Sequence, residues 1–272
     1  MKYQDRYFEV MPGVDLRYVD VGEGRPIVFV PGYSFSIDVF EKQIDALSSS
    51  WRCIAVDPRC HGKSTITYLG NTYDQQGADL GRFIEGLGLK DVVLAGWSFG
   101  ALAVWAYVEQ FGLDNVAGVI TFDNSPRSLT PDPAEYQAGA FDGLLNDNKN
   151  AFKSPASLRN FMSGFCDGLL YEGDLDPALK QQLVDTACRI PVDVMHLLYA
   201  DGWLADKREV CHKIDESVPS LLIIANYRKD VGVPYMKANY PHTRVEAFGM
   251  HMMFHEYPDK TNAIVEEFLK GI

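Results

Sequence analysis

The segment VVLAGWSFGALAVW, residues 92–105, decides the fold of this protein. Its first part, Val92 to Ala95, is an apolar run that predicts a β-strand, and its last part, Ala101 to Trp105, is typical of a buried helix. Between them, Gly96-Trp97-Ser98-Phe99-Gly100 places a serine in a tight turn whose small residues leave the hydroxyl exposed. This order predicts a nucleophile elbow with Ser98 as the nucleophile. A glycine-rich turn without chemistry is the alternative.

Length and composition set the class of protein. The 272 residues, 47% of them hydrophobic, can bury a sizeable core as one large domain or as one domain with an insert. The net charge of -12 and the absence of a Lys/Arg cluster disfavour nucleic acid as a partner. The amino-terminal sequence MKYQDRYFEV lacks the apolar segment of a secretory signal, and no apolar run has the length of a membrane span. We therefore expect a cytoplasmic protein without membrane contact.

The cysteines favour neither a disulfide framework nor a zinc site. They are odd in number, scattered and without CxxC spacing, so reduced thiols are expected: Cys53, Cys60, Cys166, Cys188 and Cys211. We predict that the protein uses no metal and no organic cofactor.

Short β-type runs alternate with amphipathic helical segments, which predicts an α/β fold with a mostly parallel sheet. The predicted strands are Leu16 to Val21, Ile27 to Val30, Cys53 to Val56, Val92 to Ala95, Val116 to Phe122, Leu221 to Ala225 and Arg244 to Phe248. The predicted helices among them are Ile37 to Leu47, Asp74 to Leu87, Ser98 to Phe111 and Asp259 to Leu269.

Residues 127–213 interrupt this alternation, because only helical patterns occur there. The predicted helices are Ala134 to Leu145, Ser157 to Leu169, Pro177 to Ile190 and Val192 to Leu204. We therefore predict a core domain made of residues 1–126 and 214–272, with an all-helical cap, residues 127–213, packed on the sheet as a lid.

Three further motifs follow predicted strands: Val30-Pro31-Gly32-Tyr33, the segment DPRCHGKS at residues 57–64, and Gly249-Met250-His251. Together with the elbow, they make nearly the whole chain resemble the α/β-hydrolase superfamily. The sequence is most similar to small bacterial carboxylesterases, to arylesterases and perhydrolases, and to acyl-homoserine lactonases. The resemblance implies the α/β-hydrolase fold and an oxyanion hole formed by the backbone amides of Tyr33 and Phe99.

Two positions depart from the family pattern. Pro31-Gly32 stands where many relatives have His-Gly, which leaves the backbone donor of Tyr33 in place. Cys60 stands where relatives usually carry glycine, so we expect that this turn does not require a positive φ and that Cys60 is structural.

His251 is the predicted general base, because it follows the last strand at the position that the resemblance implies. His255, one helical turn further on, is the next candidate. His61 lies inside the turn at residues 57–64 and is expected to be structural, and His196 and His212 lie in the insert.

Two aspartates fit the third position of a Ser-acid-His order, because each follows a predicted strand at the carboxyl edge of the sheet. Asp230 is favoured: in most relatives the acid follows the later strand with a proline four residues on, and Pro234 reproduces this offset. Asp123 is the alternative acid, as in a minority of relatives. Against Asp230, Tyr227 replaces the glycine that usually precedes the acid by three residues.

The apolar and aromatic residues of the insert predict a pocket for an acyl chain or ring. The candidate substrate contacts are Trp97, Tyr199, Trp203 and Met252. The leading functional hypothesis is a serine hydrolase that cleaves carboxylic esters or lactones of a small, largely apolar or aromatic molecule through an acyl-enzyme. The chain could act as a homodimer.

Alternatives remain open at this point. The same residues can support C–C bond hydrolysis, perhydrolysis or cofactor-free ring-cleaving dioxygenation. A small-molecule sensor with slow or no turnover would have a broken triad, whereas this sequence has a candidate for every role.

Overall fold

A computed structural model describes residues 1–132, 135–136 and 141–272 of the chain. Its eight strands form one sheet with the order β1-β2-β4-β3-β5-β6-β7-β8. The strands are β1 (Arg6–Met11), β2 (Val14–Val21), β3 (Pro26–Val30), β4 (Arg52–Val56), β5 (Val92–Trp97), β6 (Val116–Phe122), β7 (Ser220–Ile224) and β8 (Arg244–Ala247). From β4 to β8 all neighbours are parallel, whereas β2 is antiparallel to both β1 and β4.

The helices that the structure describes connect these strands. They are α1 (Glu41–Leu47), α2 (Tyr73–Gly86), α3 (Gly100–Phe111), α4 (Phe141–Asn150), α5 (Pro155–Leu169), α6 (Pro177–Ala187), α7 (Val192–Leu204), α8 (Arg208–Ser217), α9 (Lys229–Asn239), α10 (Met253–Glu256) and α11 (Pro258–Lys270). Three short 3₁₀ helices cover Ile37–Phe40, Ala151–Lys153 and Asn226–Arg228. Within the described ranges, no helix is long and apolar enough to cross a membrane.

The central strands are buried on both faces. Every residue of β3, β5 and β7 is buried, and their alternate side chains belong to two apolar clusters on opposite sides of the sheet. This burial explains their continuous apolar sequences, since helices cover both faces of the sheet. The mostly parallel α/β sheet predicted from the sequence is confirmed. The edge strand β1 was missed because its pattern is largely exposed and only weakly alternating.

In the described part of the chain, the five α-helices α4 to α8 and the 3₁₀ helix Ala151–Lys153 lie between β6 and β7. The predicted helix Ala134 to Leu145 falls partly outside the described residues. Of its described residues, 135–136 are not helical and 141–145 belong to α4, which begins at Phe141. Helix α7 reaches the sheet edge, where the Tyr33 hydroxyl donates a hydrogen bond to the Met195 carbonyl (2.7 Å). Because α8 continues past residue 213, the boundaries of a core domain and a cap stay a prediction.

The turn after β4 is organised around a buried carboxylate. Asp57 accepts hydrogen bonds from the amides of Ile37 (2.7 Å) and Lys63 (3.0 Å) and pairs with buried Arg17 (3.2 Å). Burial raises the pKa of Asp57 to about 6, although Arg17 and the amides act to lower it. Cys60 in this turn has a φ of 67°, so the expectation that no positive φ is needed here is wrong. Its buried thiol contacts the Thr67 carbonyl and the Asn71 side chain, which fits a structural role.

Candidate active site

Ser98 lies in the turn between β5 and α3, and its φ of 51° is in the left-handed region that L-residues rarely adopt. Its amide donates to the Phe122 carbonyl on β6 (2.8 Å), which fixes the turn to the neighbouring strand. A Cβ at Gly100 would lie 2.4 Å from the Pro31 carbonyl oxygen, so only glycine allows this approach. The strained turn therefore has the geometry of a nucleophile elbow.

The loop after β3 packs directly against the serine. A Cβ at Gly32 would lie 3.0 Å from the Cβ of Ser98, so the loop backbone passes close to the nucleophile. Tyr33 and Phe99, whose amides were predicted to form the oxyanion hole, both line the cavity at Ser98. Neither amide donates a hydrogen bond to another residue in the described part of the chain. Both donors are thus free for a substrate oxygen, and their role in an oxyanion hole stays a prediction.

His251 lies in the turn after β8, and both of its backbone groups are fixed. Its amide donates to the Leu169 carbonyl at the end of α5 (3.1 Å), and its carbonyl accepts from Nε1 of Trp97 (2.8 Å). Its Nε2 is 2.9 Å from Ser98 Oγ. The imidazole is buried, so the structure brings the predicted base and nucleophile into hydrogen-bond contact away from bulk solvent.

Asp123 completes the hydrogen-bonded chain. It directly follows β6 with a φ of 47°, and its Oδ2 is 2.5 Å from Nδ1 of His251. Its other oxygen, Oδ1, accepts from the Ala225 amide (2.9 Å). Burial acts to raise the pKa of Asp123, but the hydrogen bond and charge of His251, the charge of Arg228 and the Ala225 amide outweigh it and lower the pKa. The carboxylate is therefore held ionised beside the imidazole, with Nδ1–H donating to it.

The preference for Asp230 over Asp123 is corrected by this geometry. The chain after β7 turns at once into the 3₁₀ helix Asn226–Arg228 and then into α9. Asp230 is exposed in the first turn of α9, where a carboxylate interacts favourably with the helix dipole. Pro234 lies inside the same helix, so the aspartate-to-proline offset marks a helix here and not a triad loop.

Tyr227 is a site residue that the sequence reasoning missed. Its hydroxyl donates to Oδ2 of Asp123 (2.9 Å) and lies 3.4 Å from Nδ1 of His251. The available signal was the tyrosine itself, since it stands where the family pattern has glycine. This departure argues against Asp230 as the acid, but the sequence alone does not connect Tyr227 with Asp123.

A cavity of about 270 Å³ lies above Ser98 between the sheet edge and helices α4, α5 and α7. Its walls are mainly aromatic and aliphatic and include Phe35, Phe161, Met162, Phe165 and Leu169. The predicted contacts Trp97, Tyr199 and Trp203 also line it. The prediction for Met252 is wrong: its side chain is fully buried in the core, because the turn after His251 directs it away from the cavity.

Two charged residues in the cavity wall had no signal in the sequence. Asp147 on α4 accepts a hydrogen bond from the Tyr199 hydroxyl (2.5 Å), and Arg228 lies beside Tyr227. The cavity is thus apolar with a few polar groups, as small-molecule sites usually are. Among the residues that the structure places, no cluster of His, Cys, Asp and Glu side chains could hold a metal ion.

Four of the five other histidines have side-chain partners elsewhere. His61 is buried with its Nδ1 2.9 Å from the Arg59 carbonyl, as expected for a structural residue. His255 hydrogen-bonds Tyr171, His196 hydrogen-bonds Asn148, and His212 stacks on Tyr240. Each has a structural contact outside the Ser98 site.

The sequence profile of the alpha/beta hydrolase fold matches residues 25–173, which is more than half of the chain. The chain therefore belongs to the alpha/beta hydrolase fold family, as the motifs and the sheet indicate. It is 30% identical over 146 residues to the bifunctional esterase/perhydrolase DCH of Acinetobacter calcoaceticus, covering 52% of this chain and 53% of that protein.

Solved structures share the fold over almost the full length. The bromoperoxidase of Bacillus anthracis superposes with a TM-score of 0.88 at 22% identity, covering 98% of this chain and all of that chain. The esterase EaEST of Exiguobacterium antarcticum superposes with a TM-score of 0.83 at 23% identity, with the same coverage. At such identities the likeness concerns the fold alone.

Proposed function

We propose that this protein is a serine hydrolase that cleaves carboxylic esters or lactones of small apolar or aromatic molecules. The observation that carries the proposal is the chain Ser98 Oγ–His251 Nε2 (2.9 Å) and His251 Nδ1–Asp123 Oδ2 (2.5 Å) at the floor of an apolar cavity. Such a chain activates a hydroxyl that is otherwise a weak nucleophile. The similarity to an esterase/perhydrolase supports ester chemistry.

In the proposed reaction, His251 Nε2 takes the proton of Ser98 while Oγ forms a bond to the acyl carbon. The carbonyl oxygen becomes an oxyanion that the amides of Tyr33 and Phe99 stabilise. The C–O bond to the leaving alcohol then breaks, and the alcohol oxygen receives the proton from Nε2. Water repeats the sequence on the acyl-enzyme and releases the carboxylic acid, while Asp123 keeps the imidazole in the required tautomer.

Replacing the nucleophile tests the proposal. Ser98→Ala is expected to lower kcat for a p-nitrophenyl ester by at least about a thousandfold, because the covalent route is lost. It should also abolish labelling by a fluorophosphonate probe. Ser220→Ala removes a buried hydroxyl that bonds Thr243 far from the cavity, and it should keep both properties. Unchanged turnover in Ser98→Ala would exclude the mechanism.

Perhydrolysis is a second candidate, supported by the name of the bifunctional relative. Here hydrogen peroxide in place of water attacks the acyl-enzyme and a peroxy acid leaves, so the serine, histidine and acid keep their roles. To distinguish perhydrolysis from hydrolysis, the rate of peroxy-acid formation from an ester and hydrogen peroxide is compared with the rate of ester hydrolysis. Both reactions should depend on Ser98. A panel that includes lactones and β-diketones distinguishes ester from lactone and C–C bond cleavage.

A further inference from the structure

The loop after β7 contributes a donor to the acid of the neighbouring strand. Asp123 follows β6, and Tyr227 belongs to the 3₁₀ helix Asn226–Arg228 that follows β7. Because β6 and β7 are parallel neighbours, their carboxyl ends meet at the same edge of the sheet. The Tyr227 hydroxyl reaches back across this edge to Oδ2 of Asp123 (2.9 Å).

The position of Tyr227 is fixed from both sides. The amide of Asn226 donates to the Gly249 carbonyl (2.7 Å), which ties the 3₁₀ helix to the turn that bears His251. The Arg228 guanidinium lies 5.0 Å from the centre of the Tyr227 ring, within range of a cation–π contact. Although 40% of the residue is exposed, its hydroxyl faces the buried carboxylate. The hydroxyl is therefore a preorganised donor.

Tyr227 and His251 share one acceptor atom. Oδ2 of Asp123 receives both Nδ1–H of His251 and the Tyr227 hydroxyl, while Oδ1 receives the Ala225 amide. Hydrogen bonds to a charged acceptor are roughly twice as strong as neutral ones. A second donor on Oδ2 fixes the carboxylate orientation and disperses the negative charge that faces the imidazole. The hydroxyl therefore controls both the position of the acid and how strongly it stabilises an imidazolium.

We propose that Tyr227 is a positioning residue for the proposed hydrolase, which holds Asp123 in place and moderates its interaction with His251. This inference rests on the proposed function of the Ser98 site. Burial, followed by the charge of Asp123, raises the pKa of Tyr227 far above neutrality, so the hydroxyl keeps its proton throughout the working range. The ionisable groups that face Asp123 are His251, Tyr227, Arg228 and Tyr136.

Tyr227→Phe removes the hydroxyl and retains the ring. We expect the rate of Ser98 labelling by a fluorophosphonate, and kcat for an ester, to fall about tenfold with KM within about twofold, as for the loss of one charged hydrogen bond. Because less charge is dispersed, the acid limb of the pH–rate profile should move to higher pH by about half a unit. The downfield proton resonance of His251 Nδ1–H should also shift.

Tyr171→Phe is the matched control, because it removes a hydroxyl that hydrogen-bonds His255 without touching Asp123. It should leave the labelling rate, the acid limb and the resonance unchanged. Unchanged values of all three in Tyr227→Phe, or a loss expressed only in KM, would overturn the inference. If the wild-type protein is not labelled at all, the proposed function fails, and the proton resonance still decides whether Tyr227 acts on the Asp123–His251 pair.

Discussion

The carboxyl ends of β6 and β7 carry an aspartate each, yet the two side chains have opposite environments. Asp123 is buried in a left-handed backbone conformation, with donors on both carboxylate oxygens. Asp230 is exposed in the first turn of α9. The two sites look alike in sequence because both follow an apolar strand. The difference shows that an acid becomes part of the site through the path of the backbone after the strand, since this path decides whether the carboxylate meets the imidazole or water.

Substitutions of Asp123 and Asp230 should differ most in their effect on turnover. Asp123→Asn should lower kcat for a p-nitrophenyl ester by about ten thousandfold, because an amide no longer holds the His251 tautomer that accepts the serine proton. Asp230→Asn should retain turnover within about twofold. Equal losses in the two variants, or a larger loss in Asp230→Asn, would contradict the assignment of the acid to β6.

A third aspartate, Asp57 after β4, lies at the same edge of the sheet. It is buried like Asp123 but does not line the cavity at Ser98. Its folded pKa of about 6 lies above the unfolded value of 3.8, so the stability from its proton is fully present below pH 3.8 and is lost as the pH rises through 6. Between pH 4 and pH 7.5, the free energy of unfolding of the wild type should fall by about 1–3 kcal/mol relative to Asp57→Asn. Urea denaturation of both proteins at the two pH values measures this. If the difference in unfolding free energy between the wild type and Asp57→Asn is the same at both pH values, burial does not raise the pKa of Asp57.

The smallest expected effects are on the free energy of unfolding and arise from the backbone conformation. Glycine and alanine should rank in opposite order at residues 123 and 230. At residue 123 the φ of 47° favours glycine, so Asp123→Gly should be more stable than Asp123→Ala by about 1 kcal/mol. At residue 230 the backbone is helical, so Asp230→Ala should be more stable than Asp230→Gly by about 0.5–1 kcal/mol. Urea denaturation of the four variants checks the sign. The same sign at both positions would contradict the contrast between the two backbones.

Much of the fold and part of the site were predictable because their signals are local. The apolar runs of β3 to β7 and the elbow sequence around Ser98 are each visible in a few adjacent residues. The sequence also placed His251 after the last strand, where its Nε2 lies 2.9 Å from Ser98 Oγ, and its role as the base stays a prediction. Helix α9 was missed because glycine and proline within Lys229–Asn239 weaken its helical pattern.

By itself, the sequence determined the α/β class, because hydrophobic period and turn chemistry act over a few neighbouring residues. Together with the family resemblance, it pointed to Ser98 and His251 as the proposed nucleophile and base. Only the tertiary structure brings Asp123 and Tyr227 to His251, and it adds Asp147 and Arg228 to a cavity wall that the sequence predicted in part. Asp123 and His251 are 128 residues apart, and their contact depends on which of two parallel strands turns its carboxylate inward. The inward direction of the Asp123 carboxylate depends on the burial of this residue and on its left-handed φ. Neither can be read from the pattern of the neighbouring residues.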